Sequence, residues 1–396
     1  MTHQQRVSRW SRRFVLVGAA FLVCWQVVVL AGGERQAGLL LGLLGFVFHT
    51  IFGKAYSLVP TYFDRTLATT RLLPLHLVFA SAGTILLAFD AQYGNTLVGQ
   101  GGAVLWASGV IVFLATLGWT LRDNLSGRET GTSEASANRR GVDRVANLFV
   151  PLALAYLAFG TYELVAATTV VPPVFDGYAP RAVHLLATGT GALLVFALGF
   201  RLLPRFLVAS PPRPLVWVVL SSGAVAPVIL AASLPAGRWF RLGALLQSVA
   251  VVGFAVAVWV LYARSDRRRV GFYGVLACTV AGIAGIGLGV VFAFDQTTVD
   301  LVAAHRRLNV GGFLGLAIVG VSYQFYPPTV SSLPRTGDRT ALAAVVLIFA
   351  GVLFEAAALA VGLDAGVPAG QLAVLIGACL HLSLLVGVFY TGRRNG

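Results

Sequence analysis

The chain has 396 residues, 57% of them hydrophobic and 11% charged, with a net charge of +14 and a mean hydropathy of +0.82. A soluble domain of this length cannot hide that much apolar surface, so the solvent for most of it is lipid. Its positive charge is distributed as membrane topology requires, which leaves nucleic acid an unnecessary partner.

A spanning helix needs about 20 apolar residues. Twelve such runs begin near Phe14, Ala37, Leu72, Val98, Ala146, Arg181, Leu215, Trp239, Val270, Ala303, Thr340 and Gly370. The first is too long for a signal h-region and lacks a small-residue cleavage site, so it reads as a retained helix. The second closes with FGKAYSLVP, Phe52 to Pro60, in which Gly stands seven and Tyr four residues before Pro. It carries Lys54, which can snorkel to the interface, and His49, placed roughly 16 Å from the end of its helix. His76 opens the third run and reads as interfacial. After the fourth comes RDNLSGRETGTSEASANRRGVDR, Arg122 to Arg144, with the Ser, Thr, Gly and charge content of a flexible loop.

The fifth run carries Glu163. The sixth opens with His184 and closes with LGFRLLP, a degraded form of the same phrase; the tenth opens with His305 and closes with VGVSYQFYP. His184 lies 20 and His305 22 residues before the closing Pro, a rise of about 30 Å that gives them one depth. They either face a common cavity or cap their helices against interfacial water. Glu355 is near the middle of the eleventh run and His381 is well inside the twelfth. An ionisable residue within the membrane is a functional candidate; Glu355 is protonated, paired or part of a proton path. His49 and His381, from the first and last blocks, are neighbours in a closed ring and with Glu355 make a candidate second polar site.

In the repeated phrase, Gly permits close helix approach, Tyr suits the aromatic belt and Pro ends a helix. The phrase closes the second helix of three four-helix blocks, 14–121, 146–263 and 270–391, with a loop at 122–145 after the first. The expected fold is therefore an all-α polytopic membrane protein, with twelve transmembrane helices in a pseudo-threefold 4+4+4 arrangement. A facilitator-type transporter would instead have two six-helix halves joined by a long loop after the sixth helix, and here that loop is short. With the N-terminus inside, 22 of the 28 arginines, Arg335, Arg393 and Arg394 among them, fall on the cytoplasmic side, which gives N-in/C-in by the positive-inside rule. Cys24, Cys278 and Cys379 lie in separate runs without CxxC spacing and read as free core cysteines.

Three four-helix arcs with HRRLNVGGFLGLAIVGVSYQFYPP in the tenth run and HLLATGTGALLVFALGFRLLPRF in the sixth resemble the catalytic subunit of haem-copper oxidases and nitric-oxide reductases, and the related NnrS-like haem-copper membrane proteins. The resemblance implies that His305 ligates a haem iron and His184 a copper ion, with Arg306 and Arg307 beside haem propionates. It departs from the family where Arg307 replaces the second His of HxH, where Gly38 and Leu39 stand in place of a helix-2 His, and where LVWVVLSSGAVAPVIL lacks the two further copper ligands. A copper site needs several N or S donors, so full oxygen or nitric-oxide reduction is not expected. The implied function is an atypical haem-binding, and by the same resemblance copper-binding, protein of respiratory or nitrogen-oxide metabolism. It would sit in the plasma membrane of a prokaryote and meet a redox partner or a small gas ligand. The alternative is a cofactor-free transporter or structural protein on the same scaffold.

Overall fold

In lipid, every backbone N–H and C=O must be satisfied within the fold, which a helix does by itself. In a computed structural model, which describes residues 2–295, 297–331, 334 and 336–394 with side chains to 391, each apolar run is a helix. Arg335, Arg393 and Arg394 of the inner-face set lie outside the described side chains. The helices are α1 (His3–Leu30), α2 (Arg35–Tyr62), α3 (Leu73–Tyr93), α4 (Thr96–Leu121), α5 (Glu134–Thr168), α6 (Ala179–Leu207), α7 (Arg213–Ser233), α8 (Arg238–Ala263), α9 (Val270–Phe294), α10 (Val299–Phe325), α11 (Asp338–Val361) and α12 (Asp364–Thr391). The chain is thus an all-helical, multi-pass membrane protein embedded in a bilayer. Two helices begin well before their apolar runs: α5 at Glu134, and α1 at His3, where Thr2 and Gln5 form a capping box. Arg6, Arg9, Arg12 and Arg13 ride on that helical stem.

Three helices are inside. The most apolar stretches of α2, α6 and α10 are 89, 61 and 78% buried, against 39–56% for the other nine. Those nine surround them in the order α1, α3, α4, α5, α7, α8, α9, α11, α12 and back to α1. Their outward side chains, such as Ile85, Ile111, Val252 and Val346, are exposed apolar groups facing lipid.

Each inner helix widens into a π-helical stretch: Leu41–Phe48 in α2, Leu185–Ala192 in α6 and Arg307–Gly315 in α10. The three stretches touch one another at the middle of the bundle. Their glycines admit bulky neighbours. A Cβ on Gly42 would stand 2.7 Å from the Trp25 ring of α1, and one on Gly189 2.6 Å from the Tyr156 ring of α5. π-helical stretches are rare and are frequently found at functional sites.

Several expectations are corrected. Tyr56 and Tyr323 of the repeated phrase are buried, so neither belongs to an aromatic belt. Pro60 and Pro204 stand inside the last turns of their helices, while Pro327 follows the end of α10. The segment after α4 is tied down, not loose. Arg201 of α6 is buried, so its guanidinium draws in carbonyls, its Nη2 donating to Thr130 O (2.8 Å) and its Nη1 to Tyr62 O (3.0 Å).

Candidate functional site

Two cavities lie between the inner helices, arranged in series along them. The upper one, at the end where α2, α6 and α10 begin, has a volume of about 240 Å³. His184 and His305 both line it, with Arg306, Asn309, Gln36 and Gln247 as further strongly polar groups on a largely apolar wall. Nδ1 of His184 donates to the Pro180 carbonyl on its own helix (2.8 Å), and Nδ1 of His305 to the Gly285 carbonyl of α9 (2.9 Å). A carbonyl can only accept. In each neutral ring the proton is therefore on Nδ1, and the Nε2 lone pair remains free. Asn309 Nδ2 lies 3.3 Å from His305 Nδ1, but with that proton committed to Gly285 its donor bond is the 2.8 Å one to the His305 carbonyl.

Arg307, the next residue, leaves this cavity. Its Nε donates to Glu355 Oε2 (2.7 Å) and its Nη2 to Gln26 Oε1 (2.8 Å), with the guanidinium 4.7 Å from the Trp25 ring. Gln371 Nε2 donates to the other Glu355 oxygen (3.2 Å). This network joins α1, α10, α11 and α12. The sequence placed Arg307 beside His305 and grouped Glu355 with His49 and His381; the structure pairs Arg307 with Glu355 instead. A buried guanidinium and a buried carboxylate each cost several kcal/mol when alone in an apolar interior, so they are held together.

His49 and His381 share no hydrogen bond or ring contact among the described residues. His49 Nδ1 donates to Leu44 O (2.9 Å), leaving Nε2 to accept from Ser81 of α3 (3.0 Å). His381 Nδ1 meets the Tyr323 hydroxyl at 3.1 Å. His76, read as interfacial, is fully buried against Phe14, Phe52 and Phe113, its Nδ1 2.8 Å from the Tyr56 hydroxyl. Each intact copy of the repeated phrase thus presents its Tyr to a histidine. The Tyr spacing was the available signal; the partners come from other helices, and nothing along the chain names them.

Copper needs several N or S donors. The upper cavity offers two imidazoles, and no group of three His, Cys, Asp or Glu is placed to hold a metal ion among the described residues. That donor set does not fit copper. Haem asks for less: one axial imidazole whose second nitrogen is tied to a carbonyl. His305 meets this requirement, and Arg306 is a cation on the same wall; a cavity of about 240 Å³, where ~150 Å³ holds one benzene, would have to widen to admit the macrocycle.

The lower cavity, about 110 Å³, is lined by the second halves of the inner helices with Phe254 of α8 and Cys278 of α9. Its one charged lining residue is Lys54. Leu314 of α10 lines both cavities. It stands where the π segments meet: a Cβ on Gly191 of α6 would be 3.2 Å from Leu314 Cδ1, and one on Gly315 would be 3.4 Å from the Phe46 ring of α2. Sequence reasoning had no means to find Leu314, one leucine among many.

The chain matches no protein-family model and no curated protein.

Proposed function

We propose that the chain is a membrane transporter that passes a small solute along the bundle through the two cavities in turn, with no cofactor taking part in that passage. The observation that carries this reading is the way the inner helices are divided. Residues 179–192 of α6 line the upper cavity and 191–203 the lower; on α10 the change comes at Leu314. Together the linings run from Val302 to Phe325 on α10. That is roughly 35 Å of helix, more than the ~30 Å hydrocarbon thickness. Leu314, on the π-helical segment of α10, is the residue that both linings share, so it stands at the division a solute would have to pass.

Cys278 tests it directly, because it already lines the lower cavity. In a variant with Cys24 and Cys379 replaced by Ala, a small membrane-impermeant thiol reagent added from the upper face should label Cys278 slowly. Leu314→Ala should speed that labelling roughly tenfold or more, the effect of about 1.4 kcal/mol on a barrier. Equal rates in the two proteins would remove the path.

The reading extends to the arrangement. The neighbour order of the nine outer helices and the matched π segments support a pseudo-threefold 4+4+4 bundle, and the arginine bias supports N-in/C-in in the plasma membrane of a prokaryote.

A second reading, haem binding in the upper cavity, is favoured by one observation, the Gly285 carbonyl that fixes the His305 ring. His305 would be the axial ligand and Arg306 the propionate partner, and the group would supply gas binding or one-electron chemistry there. A Soret band and a pyridine haemochrome from haem-replete protein, both lost in His305→Ala, are its expected signature; a colourless wild type removes it.

A further inference from the structure

We infer that the lower cavity binds the carboxylate of a short aliphatic monoanion, with Lys54 as its counter-ion. The inference rests on the two-cavity reading and names the class of solute. Lys54 is the only lysine in a chain with 28 arginines. It lines an apolar chamber together with Leu58, Leu198 and Val321. Its Nζ is 3.5 Å from the centroid of Phe325 and 4.9 Å from that of Tyr326, and its nearest hydrogen-bond partner is the Tyr326 hydroxyl at 3.4 Å. No ion pair engages it among the described residues, and no Asp or Glu lines either cavity.

An ammonium carries three donors. Here ring faces and one long contact leave most of that capacity unused. The missing partner is an anion. One compact cation balances a single negative charge; a phosphate dianion is better matched by the bidentate fork of arginine. The apolar wall requires the rest of the solute to be hydrocarbon. Size sets the limit: a dry cavity of about 150 Å³ holds benzene, so a chamber of about 110 Å³ takes a chain of a few carbons. The upper cavity repeats the pattern on a larger scale, with Arg306 as the cation on a mostly apolar wall.

A single lysine makes the test site-specific. Purified full-length protein in lipid nanodiscs is acylated with acetic anhydride in the presence of propanoate, propanol or tetramethylammonium. Lys54 and the N-terminal amine are then followed by mass spectrometry, the latter as internal reference. Propanoate should slow Lys54 acylation saturably without changing the reference, while propanol and tetramethylammonium should not. Lys54→Met should weaken binding of radiolabelled propanoate by about tenfold or more, as loss of one charge-assisted bond requires, and Lys54→Arg should restore part of it. Equal protection by propanol, no protection by propanoate, or wild-type affinity in Lys54→Met overturns the assignment. If Lys54→Met fails to fold, the protection measured on the wild type decides alone. Should Leu314→Ala open Cys278 while propanoate leaves Lys54 unprotected, the path stands and the anion assignment falls. Should propanoate protect Lys54 while Leu314→Ala changes nothing, the anion site stands and the path falls.

Discussion

Glu355 and Arg307 are 2 and 7% exposed and joined through a 2.6 Å ion pair in the middle of the protein. Removing one partner of such a pair strands the other charge, whereas replacing both with apolar groups of similar volume is close to neutral. Glu355→Ala should therefore destabilise the protein by about 3–5 kcal/mol. The double change Arg307→Met with Glu355→Leu should recover most of that loss in thermal unfolding of the detergent-solubilised protein. A different pair lies at the start of α6. Asp176, in the loop before α6, accepts two 2.7 Å hydrogen bonds from Arg181, which lower its carboxyl from 3.8 to about 2. A group with a depressed folded value gives stability that is complete above its unfolded value and lost as pH falls through the folded one. Melting temperature should thus fall between about pH 4 and pH 2 more steeply in the wild type than in Asp176→Asn, with parallel curves above pH 5. Because the aspartate is exposed, the difference should be small.

At the scale of the helix, the repeated phrase fixes how closely each inner helix meets its neighbours. A Cβ on Gly320 would lie 2.6 Å from the Gly271 carbonyl oxygen and 2.7 Å from the Val275 nitrogen of α9. On Gly53 it would lie 2.8 Å from the Ser11 carbonyl oxygen of α1. Both contacts are with the helix that precedes in the chain. Gly199, in the degraded copy, meets instead a ring atom of Phe254 on α8 at 2.8 Å. Backbone cannot give way as a side chain can, so Gly320→Ala should cost about 1–3 kcal/mol by overpacking and Gly199→Ala distinctly less. Thermal denaturation of the two variants in one detergent gives the comparison. The phrase itself was legible because Gly, Tyr and Pro recur at fixed spacing. The π segments were not: a π turn differs from an α turn in hydrogen bonding, and the Gly-rich composition of 41–48, 185–192 and 307–315 fits either.

Across the whole molecule, Arg201 binds the α4–α5 segment to the inner helices, and Arg205 adds bonds of 3.0 and 2.6 Å to Asp143. Arg201→Met should free that segment, so that trypsin cuts at Arg128 about tenfold faster or more, the effect of losing one hydrogen bond to a charged group. The membrane setting and the twelve helices were legible because lipid admits only long apolar helices, and that constraint acts on every residue of a run; the polar first turns of α1 and α5 lie outside it and were missed. The candidate site was legible in part. His184 and His305 share a cavity as their common depth allowed, since rise per residue fixes height along a helix. Height says nothing about direction around the axis. Tertiary packing alone decided that Arg306 turns to the cavity while Arg307 turns to Glu355, that His49 faces Ser81 and His381 faces Tyr323, and that Lys54 and Leu314 line one cavity. Those outcomes depend on which helix lies opposite, and in a bundle of twelve the chain order of apolar runs does not fix that neighbour.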